Sequence, residues 1–247
     1  MRESEKQLQL WMNVKSTIGF VIYENVQPMD VIGPWEVLSF WKNILNAPVN
    51  MYLISENGSY VQCANNITLK AHLNFNNAPQ LDFLIIPGGK GRVAQVNNEK
   101  IISFIKKQAQ NAKYIISICT GMFLLHKAGV LKNKSTTTYW RALPELQSFS
   151  DVHLVEERIV KDNNIWSSGG VSSGIDLAFE LIAEIAGKEV AGEVQLLFEY
   201  FPRDTVFASM HTVDQLPPYQ TNGHSDLPEY IKDYIKSKTT EVVLRQL

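Results

Sequence analysis

Tyr114-Ile115-Ile116-Ser117-Ile118-Cys119-Thr120-Gly121 is an apolar, β-branched run that ends on a cysteine, a threonine and a glycine. The run reads as a buried strand. Helical spacing begins at once after it, from Gly121 to Ala128, and Gly129 supplies a stop. A strand that turns sharply into a helix puts the cysteine sulfur at the positive end of a helix dipole. Helix N-termini lower a thiol's pKa, and the thiolate is the reactive form. Gly121 removes a side chain where the turn is tightest. This is the logic of a nucleophile elbow. The competing reading is a cysteine buried as a small hydrophobe.

The same alternation extends in both directions. Thr17–Tyr23, Met51–Ser55 and Asp82–Pro87 read as further strands. Asp30–Leu45 reads as a helix with Pro34 in its first turn, where a missing N–H does no harm. Lys100–Gln110 is an amphipathic helix. Val61–Leu73 breaks into short strands joined by Asn-rich turns. Val152–Glu156, Arg158–Val160 and Ile165–Ser167 read as a small hairpin region. Val171–Ala186 and Glu189–Tyr200 are helical stretches split by Gly187. Buried strands alternating with helices specify an α/β fold, a flavodoxin-like sandwich whose mostly parallel central sheet carries helices on both faces. The expected organisation is an extension at 1–16, one domain over 17–225 and a helix or tail over 226–247.

Composition narrows the function. The 247 residues are 45% hydrophobic and 19% charged, with a formal net charge of −2. No basic footprint for nucleic acid and no patch for a membrane surface is present, and no apolar run reaches the length of a membrane span. The first sixteen residues mix both charge signs and do not read as a signal peptide. Two cysteines, Cys63 and Cys119, make a disulfide framework improbable, so a reducing cytoplasm is expected. The five histidines show no metal-ligand spacing with each other or with cysteine. His126, seven residues past Cys119, is expected to point away from the sulfur. No phosphate-binding or dinucleotide motif occurs, since Gly88-Gly89-Lys90-Gly91 lacks the required frame. No metal and no cofactor are expected.

Ligands of open α/β sheets bind beyond the carboxyl ends of the strands. Gly88 and Gly89 follow one such end directly. Their backbone N–H groups are placed to stabilise developing negative charge, if the turn is more than a strand stop. Asp30 follows the first strand on the same side. Close to a thiolate, its carboxyl group would rise in pKa and could shuttle a proton, although its position fits an N-cap better. Cys63 sits in a turn-rich stretch with no helix after it and reads as structural.

These blocks together resemble the ThiJ/PfpI superfamily, whose fold is like that of class I glutamine amidotransferases. The resemblance rests on Asp30–Val37, Asp82–Gly89, Ile118–Gly121, Thr136–Trp140 and Ser168–Asp176, in that order. The Cys-Thr-Gly turn, the aspartate before Gly33-Pro34 and the closing pieces Val194–Tyr200 and Pro217-Pro218-Tyr219 are most similar to the isonitrile hydratase branch. The resemblance implies a homodimer acting on a small molecule by a cofactor-free cysteine mechanism. In it Cys119 is the nucleophile, Asp30 its carboxyl partner, and Thr120 and Gly89 hold the reacting group. Tyr139 stands where many relatives have histidine, which weakens any Cys-His chemistry. Two other functions compete. One is a ligand-sensing domain like that of AraC-type regulators, whose DNA-binding half has no basic counterpart in Phe201–Leu247. The other is a thiol-based stress or glyoxalase-like protein with an accessible, readily oxidised cysteine.

Overall fold

A computed structural model describes residues 15–202. The chain divides into two compact units, Met1–Tyr200 and Phe201–Leu247. The expected N-terminal extension lies outside the described residues except for Lys15 and Ser16. The expected boundary at 225/226, the Pro217-Pro218-Tyr219 segment and the helix anticipated at 228–238 lie wholly outside them.

The strands are β1 (Ser16–Val21), β2 (Val49–Ser55), β3 (Tyr60–Gln62), β4 (Thr68–Lys70), β5 (Leu73–Asn74), β6 (Phe83–Ile86), β7 (Tyr114–Ile118), β8 (Ser135–Thr136), β9 (His153–Leu154), β10 (Ile159–Asp162) and β11 (Ile165–Ser168). The helices are α1 (Pro28–Asn43), α2 (Arg92–Gln95), α3 (Glu99–Ala109), α4 (Met122–Lys127), α5 (Leu143–Gln147), α6 (Ser173–Ala186) and α7 (Lys188–Leu197). Seven strands form the central sheet in the order β10-β11-β7-β6-β1-β2-β5. Every pairing in it is parallel except β10 with β11. The expected flavodoxin-like sandwich is therefore present.

Burial explains the apolar runs. Every residue of β6 and β11 is buried, and so is β7 after Tyr114. Strands covered on both faces need apolar residues at consecutive positions, not at alternate ones. The helices fall into two packed groups, α1 with α6 and α7, and α2 and α3 with α4. α3 shows how one of them docks. It buries Ile101, Phe104, Ile105 and Gln108, a stripe spaced for one helix face. Asn98 caps it by accepting from the Lys100 amide at 3.1 Å, and its last turn carries Lys106 and Lys107.

Two local readings need correction. α1 begins at Pro28, so Pro34 lies inside the helix and not in its first turn. Pro28 already fills the early position that suits proline, and Pro34 forgoes one interior bond. The hairpin region also divides. β10 and β11 form the antiparallel hairpin, while β9 pairs in parallel with β8 in a separate two-stranded sheet.

The chain leaves β1 toward β2, then returns to the other side of β1 as β6. In open α/β sheets such a reversal marks the strands' carboxyl ends as the place where ligands bind. There the turn after β7 lies directly against the end of β6. A Cβ on Gly121 would stand 1.9 Å from the Ile86 carbonyl oxygen, and one on Gly88 would stand 2.5 Å from the Thr120 nitrogen. Gly121→Ala is therefore expected to lower stability by about 3 kcal/mol, because the obstacle is backbone. Gly192→Ala, in α7 with open space around it, is expected to raise it by about 0.5–1 kcal/mol. Urea unfolding of both variants checks the pair, and equal effects would contradict this reading of the β6–elbow contact.

Candidate active site

Cys119 takes φ +57, a left-handed conformation that is unusual for a residue with a side chain. Three contacts hold it there. Its N–H donates to the Gly169 carbonyl at 2.9 Å. Its own carbonyl accepts from Thr138 Oγ1 at 2.9 Å. Gly88 and Gly121 let the neighbouring strand close in from below. A single 3₁₀ turn, Cys119–Gly121, leads into the six-residue α4. The elbow expected from the sequence is present, and its cysteine is only 6% exposed.

Asp30 is not the cap of α1. Gln27 holds that position, and Asp30 lies in the first turn with no exposed surface. Its Oδ2 accepts from the Gly88 N–H at 3.0 Å. Its Oδ1 is buried with no partner of ordinary hydrogen-bond geometry. Burial raises the carboxyl pKa to about 7, while the Gly88 amide and the Cys119 thiol, acting as donors, oppose the rise. The strands thus bring Asp30 and Cys119 together, as the sequence led one to expect.

The thiol departs from expectation. Burial, and then the charge of Asp30, push Cys119 up to about 12. The Thr120 amide, the Val171 amide and the Thr120 hydroxyl act in the opposite direction as donors to the sulfur. Desolvation of the charged form outweighs one short helix end. At neutral pH the proton therefore stays on sulfur, beside a carboxyl group whose pKa burial has raised to about 7.

The glycine amides also differ from expectation. The Gly88 N–H is taken by Asp30, and the Gly89 N–H donates to Thr120 Oγ1 at 3.0 Å. Gly89 takes φ +138, and a Cβ there would meet the Gln27 nitrogen at 2.4 Å. The two amides instead orient the carboxyl group of Asp30 and the hydroxyl of Thr120.

Two neighbours were not singled out from the sequence. Tyr23, read only as the end of a strand, donates its hydroxyl to the Pro87 carbonyl at 2.7 Å. Its pKa is raised by burial and then by the charges of Asp30 and Cys119. Val171 brings its amide to the sulfur from a turn in which it takes φ +49. The Gly169-Gly170 pair before it was the available signal.

The remaining candidates lie elsewhere. Cys63 is buried, with its sulfur 3.8 Å from the Val61 carbonyl. His72 Nδ1 accepts from the Leu53 amide, and His126 Nε2 lies 2.9 Å from Asp151 Oδ1. Among the described residues no three His, Cys, Asp or Glu side chains gather as a metal would require. No described helix is long and apolar enough to cross a membrane.

A left-handed cysteine at a parallel strand's carboxyl end, paired with a buried carboxyl group, defines an α/β protein of the cysteine-elbow class. Residues 16–184 match the DJ-1/PfpI family model. The chain belongs to the DJ-1/PfpI family. It is 31% identical to an isonitrile hydratase of Pseudomonas putida over 221 residues, 90% of this chain and 89% of that protein. It is 24% identical to the HTH-type transcriptional regulator GbdR of Pseudomonas aeruginosa over 186 residues, 74% of this chain but 50% of the regulator. A ThiJ/PfpI family protein from Pseudomonas syringae superposes with a TM-score of 0.73 at 24% identity, covering 94% of this chain and 88% of that one. Drosophila melanogaster DJ-1beta superposes with a TM-score of 0.68 at 22% identity, covering 76% and 100%.

The pair sets the direction of a pH effect. Folded Asp30 keeps its proton to about pH 7, against an ordinary value of 3.8. Between those values the folded chain binds the extra proton, so stability is lost as pH rises through 7. The full effect has an upper bound of about 4 kcal/mol. The raised thiol adds a further loss above about pH 9. Urea unfolding between pH 5.5 and 8 is expected to show the decline, and Asp30→Asn is expected to flatten it. An unchanged slope in Asp30→Asn would contradict the assignment.

Proposed function

We propose that the protein hydrates isonitriles to N-substituted formamides, with Cys119 as nucleophile and Asp30 as the group that moves protons. The observation that carries this reading is the buried carboxyl group with a pKa near 7 beside a thiol that keeps its proton. The terminal carbon of an isonitrile needs both a nucleophile and a proton. A pair that holds one mobile proton supplies them together.

Ionised Asp30 takes the thiol proton as sulfur bonds to the terminal carbon, so no free thiolate has to accumulate. Asp30 then gives that proton to the same carbon, leaving a thioimidate, R–N=CH–S–Cys119. Water adds to this carbon while Asp30 relays the water's proton to nitrogen. The C–S bond breaks as the new hydroxyl's proton passes to sulfur, giving R–NH–CHO and the free thiol. The sum is addition of one water to the isonitrile. Thr120, held by Gly89, orients the adduct through its hydroxyl. The 31% identity to an isonitrile hydratase over nearly the full length of both chains supports the same reaction. The assembly we propose is a homodimer in the cytoplasm.

A sensing role is the second reading, favoured by the match to GbdR and by the low exposure of Cys119. The low exposure of Cys119 and its raised pKa weigh against the thiol-stress reading.

Turnover of a simple alkyl isonitrile, followed in the ultraviolet, distinguishes these. The parent is expected to be active, with a rate that falls as pH drops below about 7 and Asp30 protonates. Cys119→Ala is expected to be inactive, and Asp30→Asn to lose about 10²–10⁴-fold. Thr120→Val is expected to lose about ten-fold, the worth of one neutral hydrogen bond. No turnover by the parent, or full turnover by Cys119→Ala, would overturn the proposal.

A further inference from the structure

The elbow is wrapped by a second strained turn, Gly169-Gly170-Val171-Ser172, which joins β11 to α6. Val171 is β-branched and takes φ +49, where such residues are outliers. A strained turn of this kind persists only where its surroundings over-determine it. On one side the ring of Tyr139 presses on Gly170, where a Cβ would stand 2.3 Å from Cδ2. Two further contacts, at the first and last residues of the turn, lead to one residue, Arg158.

Arg158 sits just before β10 and grips the turn at both ends. Its carbonyl accepts from the Gly169 N–H at 2.9 Å, and the Gly169 carbonyl in turn accepts from the Cys119 N–H at 2.9 Å. Its guanidinium donates from Nη2 to Ser172 Oγ at 3.2 Å and from Nε to Asp176 Oδ2 at 2.7 Å. Asp176 lies in the first turn of α6, where a carboxylate is favoured by the helix dipole. The Tyr200 hydroxyl donates to its other oxygen at 2.9 Å. A planar fork that spans a hydroxyl and a carboxylate can fix a turn's geometry in a way a flexible ammonium cannot.

We propose that Arg158 is a positioning residue for the nucleophile: through Gly169, Ser172 and Asp176 it holds the 169–172 turn against Cys119 and keeps the Val171 amide aimed at the sulfur. The arginine itself does not touch the reacting atoms. This role rests on the reading of Cys119 as a nucleophile and is independent of which substrate it attacks.

The test is the second-order rate of Cys119 alkylation by iodoacetamide against pH, with the site identified by peptide mass. Parent, Arg158→Met, Arg158→Lys and Asp176→Asn are compared. Lys161→Met serves as control, since it removes an ion pair from β10 to Glu180 of α6 and makes no contact with the turn. Both Arg158→Met and Arg158→Lys are expected to slow alkylation by about ten-fold, the scale of a small misplacement, and to move its pH profile upward. Asp176→Asn is expected to follow in the same direction, and Lys161→Met to match the parent. Circular dichroism and melting curves identify any variant that has simply unfolded, and Arg158→Lys and Asp176→Asn are the milder changes that keep the test open. A reactive parent with unmoved profiles in the folded variants would overturn the positioning role alone. A parent whose Cys119 resists alkylation at every pH would overturn it together with the nucleophile reading.

Discussion

The left-handed turn at Cys119 is the constraint on which the site depends. An L-residue in this conformation costs on the order of 1–2 kcal/mol relative to ordinary backbone. That cost is offset locally by the bonds to Gly169 and Thr138, each worth roughly 1 kcal/mol net. The end of β6 packs against the same turn so closely that a Cβ at 88 or 121 would meet backbone atoms. The turn lifts the sulfur out of the strand and brings it against Asp30 and the Thr120 and Val171 amides. Without it, a cysteine at the end of a fully buried strand would pack as one more small hydrophobe.

The same closeness of β6 ties the two reactive groups into one unit. Gly88 donates to Asp30 and lies against Thr120, and Gly89 donates to Thr120. The backbone of a single turn thus orients the carboxyl group and the residue next to Cys119. Burial then sets their protonation. Desolvation raises both an acid's and a thiol's pKa, and here it moves the carboxyl group to about 7 and the thiol to about 12. The site favours a neutral thiol with a proton acceptor at hand over a standing thiolate. That distinction matters for function. A standing thiolate suits redox sensing, whereas a coupled pair suits addition of S–H to an electrophilic carbon.

Most of the fold was legible in the sequence because both-face burial leaves a direct trace. Phe83–Ile86 and Tyr114–Ile118 are apolar without alternation, and their ends are marked by Gly88-Gly89 and by Cys119-Thr120-Gly121. The candidate pair was legible for a related reason: residues that follow parallel strands share one end of the sheet. What sequence could not give was environment. The amide donors at the turn do lower the Cys119 pKa, but the depth of burial that outweighs them comes from tertiary packing. Asp30 fitted a cap by position, yet Pro28 starts the helix earlier and carries the carboxyl group inward. Pro34 was misplaced for the same reason. Tyr23 and Val171 escaped notice because each acts through its three-dimensional neighbours. A strand-ending tyrosine has no signature of its own, and the two glycines before Val171 mark a turn without saying where its amide points.

Titration of the aspartate carboxyl carbons by ¹³C NMR, in parent protein and in Asp30→Asn, measures the central quantity directly. One aspartate of the parent should titrate near pH 7, and that transition should vanish in Asp30→Asn. A parent whose aspartates have all titrated by about pH 5, as solvated carboxyl groups do, would contradict a buried carboxyl group sharing its proton with Cys119.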